Sequence, residues 1–221
     1  MDNFIQAFAA DADGDLTICA QDGVAYQTDM TARVPYDADY LAKCDAYADS
    51  DIAKAVNAGR CALLQRHLAG DASVLDIGAG SGAFVRCAAS WGFAAKGFDV
   101  IPDTADRLRS EGLYSDPANA FDAVTMWDVL EHVENPSVVF DSVRAGGLLF
   151  VSIPIFNYLY RIRESRHYRP GEHLYYFTYC GFVSWMEMHG FTMLELSNHE
   201  TAAGRDSIAA FAFRRDHTEQ K

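Results

Sequence analysis

The sequence predicts an α/β domain built on a mostly parallel sheet, ended by an antiparallel hairpin and preceded by a small N-terminal extension. Three observations predict it. From residue 50 onward, short apolar runs alternate with helical stretches, the rhythm of strands joined by right-handed crossovers. One run, Val74-Leu-Asp-Ile77, leads straight into a glycine-rich turn and another helix. The last two runs, 191–197 and 207–214, are joined by too short a link for a crossover, so they must pair antiparallel.

Taken in order, residues 1–49 form the extension and 50–221 the main domain. The extension is acidic, rich in tyrosine and without long helical periodicity. Within it, Gln21-Asp-Gly23 lies between Asp15–Ala20 and Val24–Thr28, a hairpin signal because both turn positions need positive φ. Asp11-Ala-Asp-Gly-Asp15 looks like a calcium loop, but its glycine falls at the fourth position and no glutamate sits at the twelfth. It reads as a solvated turn. Ser50 and Asp51 cap a helix to Ala69, with Ile52, Val56, Leu63, Leu64 and Leu68 as its apolar stripe and Gly70 as its stop.

Ser73–Ile77 is then a strand, Ala83–Trp91 a helix, Ala94–Val100 a strand and Asp103–Glu111 a helix. Phe121–Trp127 and Leu148–Ile153 are strands around a helix at Ser137–Arg144. Thr178 caps a helix ending at Gly190. The closing strands are joined by the polar turn Thr201–Asp206.

The bulk properties limit the function. Half of the 221 residues are hydrophobic and 13% aromatic, enough for a packed core. A formal net charge of −13 repels phosphate backbones and argues against nucleic acid as a partner. The five cysteines are scattered without a C-x-x-C pair, the pattern of reduced thiols in a cytosolic protein. The longest apolar run, 148–156, contains a proline and is half the roughly twenty residues a membrane helix needs. No charged-then-apolar leader is evident. The expectation is a cytoplasmic protein without membrane insertion.

The chemistry concentrates at Asp76-Ile-Gly78-Ala-Gly80-Ser-Gly82. Glycines at alternate positions let the backbone turn sharply and lie against a ligand, while the following helix start offers unpaired N–H groups. Asp99, 23 positions after Asp76, ends the second strand, where its carboxylate can accept both hydroxyl protons of a ribose. Val100 and Ile101 supply an apolar surface for an adenine. Gly78-x-Gly80-x-x-Ala83 also fits a nicotinamide dinucleotide loop. Asp76 favours a cationic methyl donor over a pyrophosphate, and the stretch after Pro154 is short for the usual catalytic domain of a dehydrogenase.

Phe121-Asp-Ala-Val-Thr-Met-Trp-Asp-Val-Leu-Glu-His-Val133 resembles the segment leaving the fourth strand of class I S-adenosylmethionine-dependent methyltransferases. Its Leu-Glu-His ending is similar to the ubiquinone-biosynthesis O-methyltransferase group, as are Asn135-Pro136, Ala145–Pro154 and Glu172–Thr178. The resemblance covers roughly residues 50 to 215. It implies a Rossmann-like sheet of seven strands in the order 3-2-1-4-5-7-6, with S-adenosyl-L-methionine as cofactor. The Asp that often follows the third strand is missing, so the adenine amine is left to a backbone group or to Asp116. The resemblance further implies that Arg60, sixteen residues before Asp76, clamps the methionine carboxylate. A snorkelling surface arginine is the equal alternative.

Trp127 and Asp128 fall beside the expected methionine moiety. Asp128, Glu131 and His132 have i, i+3, i+4 spacing, which one helical turn would gather on a face. In the resembled group such a set is associated with a divalent metal. Here no metal is assigned: Glu131 and His132 are expected to brace the helix, with His132 and His173 as the general-base candidates. Tyr36, Tyr40 and Tyr47 are expected to pack, with a lid over the cofactor as the alternative. Arg161, Arg163, Arg166 and Arg169 interleave with tyrosines and suit an anionic acceptor, or a solvated segment paired with the protein's own acids. The expected function is methyl transfer to a small molecule, at oxygen by preference. An NAD(P)-dependent oxidoreductase and a non-catalytic S-adenosylmethionine-binding module are the alternatives.

Overall fold

A computed structural model describes residues 8–10, 16–19, 22–28 and 38–217; the turn at Asp11–Asp15 and Tyr36 lie outside the described residues. Strands β1 (Phe8–Ala10), β2 (Leu16–Cys19) and β3 (Val24–Gln27) open the chain. Helices α1 (Ala38–Ala48) and α2 (Asp51–Gln65) precede β4 (Ser73–Ile77), α3 (Ala83–Ser90), β5 (Ala94–Phe98), α4 (Pro102–Ser110) and β6 (Phe121–Trp127). A 3-10 turn at Leu130–His132 leads to α5 (Pro136–Phe140) and β7 (Val143–Pro154). A second 3-10 turn, Leu159–Glu164, is followed by β8 (Tyr175–Phe177), α6 (Tyr179–Met188), β9 (Phe191–Ser197), α7 (His199–Ala202) and β10 (Ile208–Arg215).

The main sheet runs β5-β4-β6-β7-β10-β9, with β10 antiparallel to both β7 and β9 and the others parallel. It is the expected order less one strand: among the described residues the sheet has six strands instead of seven. The missing edge is reduced to a single parallel bridge, Gly97 with Tyr114. Gly97 N donates to Leu113 O (2.8 Å) and Ser115 N to Gly97 O (3.1 Å). Then Asp116 turns the chain by accepting from Ala118 N (2.8 Å), and Pro117 has no N–H to extend a ladder.

Alternation along the strands sorts two cores. Leu75, Phe211 and Phe213 face α5 and α6, in one cluster with Phe182 and Trp185. Val74, Ala210 and Ala212 face α2 and α3, in another with Leu64, Val85 and Ala88. Ser50 caps α2 as expected, its Oγ accepting from Ala53 N (3.1 Å). Ile52 stands half exposed instead of packing; Ala53, Val56, Cys61, Leu63 and Leu64 form the buried stripe. The helix predicted at Ser137–Arg144 stops at Phe140, because Phe121 N recruits Ser142 O (2.8 Å) and pulls residues from Val143 onward into β7. Helix α1, which the sequence did not announce, is exposed along most of its length, and its apolar face of Tyr40, Cys44, Tyr47 and Ala48 borders a cavity instead of a core.

The expected hairpin is present as β2 against β3. It continues through β1 on one side and pairs with β8 on the other, making a separate four-stranded sheet. Leu16 and Ala25 pack there with Phe156, Leu159, Ile162 and Tyr176. Among the described residues no helix is long and apolar enough to cross a membrane.

Thr178 joins this small sheet to the main body. Its Oγ1 accepts from Gly181 N (3.1 Å), capping α6, and donates to Gly23 O (3.2 Å), while its N–H meets the same carbonyl (2.9 Å). Thr178→Val keeps the shape and removes both hydroxyl bonds. The expected cost is about 1–2 kcal/mol, read in thermal unfolding, with faster amide exchange at residues 24–27 than at β4.

Candidate active site

The site forms where β4, β5, β6 and β7 end together. Gly78 (φ 73°) and Gly80 (φ 51°) adopt the left-handed region, which favours glycine. A Cβ on Gly78 would overlap the Val129 side chain, whereas one on Gly80 would meet only the Gly78 carbonyl, at 4.0 Å. Gly78 therefore lets two strand ends approach, and Gly80 leaves open space. Gly82 (φ 74°) is the N-cap of α3 and lies against Arg86 and Leu108, shaping the helix start instead of the cleft wall.

Asp99 reaches the loop from β5. Its Oδ2 accepts from Gly80 N (2.8 Å) and its Oδ1 from Ile101 N (2.9 Å), so both oxygens are held beside the turn with lone pairs to spare. A cavity of about 320 Å³ opens here, walled by Asp99, Val100, Ile101, Val129 and His132. Val100 is 76% exposed, an apolar side chain with nothing over it. Asp116, considered for the adenine amine, is spent on its own turn.

A neighbouring cavity of about 230 Å³ shares Tyr40, Gly78, Gly80 and Asp128 with the first and adds Arg60, Asp76, Trp127 and Arg205. Asp76 is buried and accepts from the Thr125 hydroxyl (2.6 Å). Burial pushes its carboxyl up to about 7, against the lowering effect of the Thr125 bond and the Arg60 charge. Tyr40 and Tyr47 line this cavity from α1 rather than packing in a core, and α1 is tied down by Arg107, which bridges Asp45 (2.9 Å) and Gly80 O (2.9 Å).

Arg60 is neither a surface residue nor an empty clamp. Its guanidinium lies over the Trp127 ring, 4.6 Å from the centroid, and its Nε donates to the buried Glu200 (2.8 Å). Arg205 bonds the other Glu200 oxygen and reaches Asp128 Oδ2 (2.6 Å). Asp128 Oδ2 is also 3.7 Å from Arg60. Two cations and two carboxylates thus interlock. Glu200 and Arg205 were missed in the sequence because Arg205 lies within, and Glu200 just before, what reads as a polar turn. The segment folds instead into α7 and the approach to β10, and buries Glu200 completely.

Asp128, Glu131 and His132 do not share a helical face. Asp128 has φ 58°, and only Leu130–His132 make a 3-10 turn. Asp128 turns to Arg205, while His173 takes its place beside Glu131 and His132. The two imidazoles meet edge to face, 4.7 Å between centroids. Ligand atoms of Glu131, His132 and His173 lie within 4.8 Å of one another, a donor set with the chemistry to hold a divalent cation. Both Glu131 oxygens and His173 Nδ1 are buried without a hydrogen-bond partner. Burial, then the Asp128 charge, holds the Glu131 carboxyl well above its usual range. Burial lowers the His132 imidazole, and burial with the His132 charge takes His173 down to about 3. His132 Nδ1 meets Glu172 O at 2.9 Å; a carbonyl only accepts, so Nδ1 carries the proton and Nε2 the lone pair.

A glycine turn between strand and helix, an acid at the tip of the next strand and a sheet ending in an antiparallel hairpin define a nucleoside-binding α/β protein of the methyltransferase class. The family model described as a methyltransferase domain matches residues 46–196, and the chain belongs to that family. It is 32% identical over 101 residues to the ubiquinone biosynthesis O-methyltransferase of Xanthomonas axonopodis pv. citri, covering 37% of this chain and 42% of that one. It is 31% identical over 102 residues to the corresponding protein of Xylella fastidiosa (strain M23), covering 37% and 41%. The chain thus spans about two fifths of the curated relatives it matches.

Two solved structures show the fold. A SAM-dependent methyltransferase from Methanosarcina mazei aligns with TM-score 0.54 at 20% identity, covering 70% of this chain and 97% of that one. The 1,6-didemethyltoxoflavin-N1-methyltransferase of Burkholderia thailandensis, solved with 1,6-didemethyltoxoflavin and S-adenosylhomocysteine, aligns with TM-score 0.56 at 16% identity over 87% and 96%.

The cleft fits the cofactor of this family: open space over Gly80, both Asp99 oxygens fixed, and a buried acid near the loop that lacks a strong cation of its own. Two outcomes follow. Gly80→Ala retains the fold at a cost of about 1–2 kcal/mol for the left-handed backbone, since its methyl enters open space, and weakens S-adenosylhomocysteine binding by about tenfold or more. Gly78→Ala adds the overlap with Val129 and lowers the melting temperature further. Calorimetry beside thermal unfolding separates the two.

Asp76 gives a pH signature. Its folded pKa lies above its unfolded value, so its contribution to stability is fully present below about 4 and is lost as the pH rises through about 7. A cationic ligand beside it favours the carboxylate. Binding S-adenosylmethionine between pH 6 and 7 should therefore release up to about one proton, measured by calorimetry in two buffers of different ionisation enthalpy; Asp76→Asn abolishes the release.

Proposed function

We propose that this chain transfers the methyl group of S-adenosylmethionine to a hydroxyl oxygen of a small-molecule acceptor. Arg60, Asp76, Gly78, Gly80, Asp99, Val100, Trp127 and Asp128 are assigned to the cofactor in this reading, and Gly82 acts on it only through the helix start it shapes. Asp99 would take the ribose hydroxyls, Val100 with Ile101 the adenine, and Asp76 with the Arg60 network the methionine end. When bound, the cofactor supplies an electrophilic methyl carbon on a sulfonium. The chain's own residues then have three tasks: to align the acceptor, to exclude water, and to take its proton.

The observation that carries the reading is the placement of His132. Its imidazole walls the same cavity as Asp99, and its Nδ1–H is anchored on Glu172 O, which sets Nε2 as the proton acceptor. Its lowered pKa keeps it neutral, and so a competent base, through neutral pH. His173 lies behind it, buried, as a positioning group. Oxygen as the methylated atom is supported by the names of the curated relatives, both O-methyltransferases.

An anionic acceptor remains part of the proposal, narrowed by the structure. Arg161 pairs with Glu164 (2.5 Å) and Arg169 with Glu172 (3.2 Å), and Arg163 lies over Tyr168. Arg166 reaches the Asp206 carbonyl (3.3 Å), next to Arg205, whereas the Arg169 charge acts on Glu131, His132 and His173 and makes it the member nearest the candidate base.

A divalent cation held by Glu131, His132 and His173 is a second reading, favoured by the unpartnered Glu131 carboxylate. One experiment addresses both. His132→Gln should lower kcat by about 10²–10⁴-fold and leave S-adenosylhomocysteine affinity within about threefold, measured with labelled donor and fractionated metabolites as acceptors. Activity that survives exhaustive chelation sustains the base reading. Activity restored only by an added divalent cation replaces it with the metal reading, and an unaffected kcat in the variant sinks both.

A further inference from the structure

Away from the cleft mouth, α2 and α3 face each other through two thiols. Cys61 on α2 is fully buried, and Cys87 on α3 is half-buried. Their sulfurs are 3.5 Å apart, with the Cys61 S–H donating to Cys87 Sγ. Both residues are free thiols. The two helices also frame the methionine end of the cleft. Arg60, whose guanidinium is fitted between Trp127 and Glu200, precedes Cys61 directly, and α3 starts from the glycine loop at Gly82.

We propose that Cys61 and Cys87 are a dithiol–disulfide pair that responds to hydroperoxides and, when oxidised, weakens cofactor binding. Cys87 is the attacking sulfur because solvent reaches it, and Cys61 is the resolving one because it is enclosed and already in contact. The direction of proton affinity agrees: the hydrogen bond from Cys61 brings the Cys87 thiol down to about 7, and the same bond with burial pushes Cys61 up.

The steps balance. The Cys87 thiolate attacks a peroxide oxygen and the O–O bond breaks, giving a sulfenic acid and hydroxide, which takes up the proton Cys87 lost and leaves as water. The Cys61 sulfur then attacks the sulfenic sulfur, forming S–S and breaking S–O, and a second water leaves with the Cys61 proton. In sum, two thiols and one hydrogen peroxide become a disulfide and two waters.

Oxidation shortens the sulfur separation from 3.5 Å towards the covalent value of about 2.05 Å. The two helices cannot absorb that in a close-packed cluster without moving α2 against α3, and Arg60 moves with α2. Displacements of about 1 Å at a positioning residue are enough to change binding and rate severely.

The test uses the full chain with dilute hydrogen peroxide as oxidant. Peptide mapping without reductant should show a Cys61–Cys87 crosslink that dithiothreitol removes, formed before any oxidation of the exposed Cys180. Cys61→Ser should halt at a Cys87 sulfenic acid that a dimedone probe labels, a readout that does not depend on the proposed reaction. S-Adenosylhomocysteine affinity, by calorimetry, should fall on the order of tenfold in the oxidised chain and recover on reduction, with no such fall in Cys61→Ser/Cys87→Ser. Oxidation of Cys180 with Cys61 and Cys87 left reduced overturns the proposal. So does a crosslinked chain that binds the ligand as tightly as the reduced one. Loss of binding in the reduced chain as well would instead strike at the cofactor assignment.

Discussion

The site depends on one buried electrostatic arrangement, the interlock of Arg60, Glu200, Arg205 and Asp128. Each member comes from a different part of the fold: α2, α7, the approach to β10 and the end of β6. Ser152 from β7 adds its hydroxyl to Asp128 (3.3 Å). Two positive and two negative groups cancel, which makes their burial tolerable, but removing any one leaves an unpaired charge in a water-poor place. Such a set contributes little net stability relative to apolar packing. Its effect is registry: it fixes where the antiparallel hairpin at the sheet's edge sits relative to the strand ends that carry the cleft. Arg60 is thereby held against Trp127 before any ligand arrives, so less ordering is left to be done on binding.

The glycine turn and its acids were legible in the sequence because their signals are local. A strand, three glycines at alternate positions and a helix start are contiguous, and the backbone geometry they need is a property of glycine itself. Glu200 and Arg205 were illegible for the opposite reason. A charged residue between two strands reads as solvated, and only the tertiary fold shows that Glu200 is enclosed by two arginines, one of them 140 residues away. The third strand failed on a related ground. Local β-propensity at Leu113–Ser115 yields one bridge, and the Asp116-Pro117 turn ends it. Helix α1 escaped notice because its short apolar face, Tyr40, Cys44, Tyr47 and Ala48, is interleaved with charged residues and borders a cavity instead of a core.

The Asp-x-x-Glu-His spacing shows how a pattern can imply a grouping that the backbone does not make. The spacing gathers side chains only if the backbone is helical across all five positions, and Asp128 sits at φ 58°. That conformation aims Asp128 at Arg205 and leaves Glu131 under two imidazoles, one of which arrives from the segment before β8. Leu174 N donating to Glu131 O (2.7 Å) locks the arrangement, tying the linker that carries His173 to the 3-10 turn. The base candidate and the group behind it are therefore positioned by one backbone bond that no spacing rule contains.

Asp76 and Glu131 follow a common logic. Asp76 lies near the end of β4 and Glu131 in the 3-10 turn after β6; both are enclosed, and burial is the largest cause of the raised proton affinity of each. Neither is given a full counter-charge: Asp76 has one hydroxyl at 2.6 Å, and neither Glu131 oxygen has a hydrogen-bond partner. A fold selected for stability alone would replace such acids with apolar residues of similar volume. Their retention beside a glycine turn built to admit a ligand makes sense if cationic or proton-donating groups enter from outside the chain. On that view the four-charge interlock and the two under-partnered acids divide the work. The first is electrostatically complete and holds the walls; of the two acids Asp76 lines the cleft, and it is the carboxyl that a positively charged cofactor would complete.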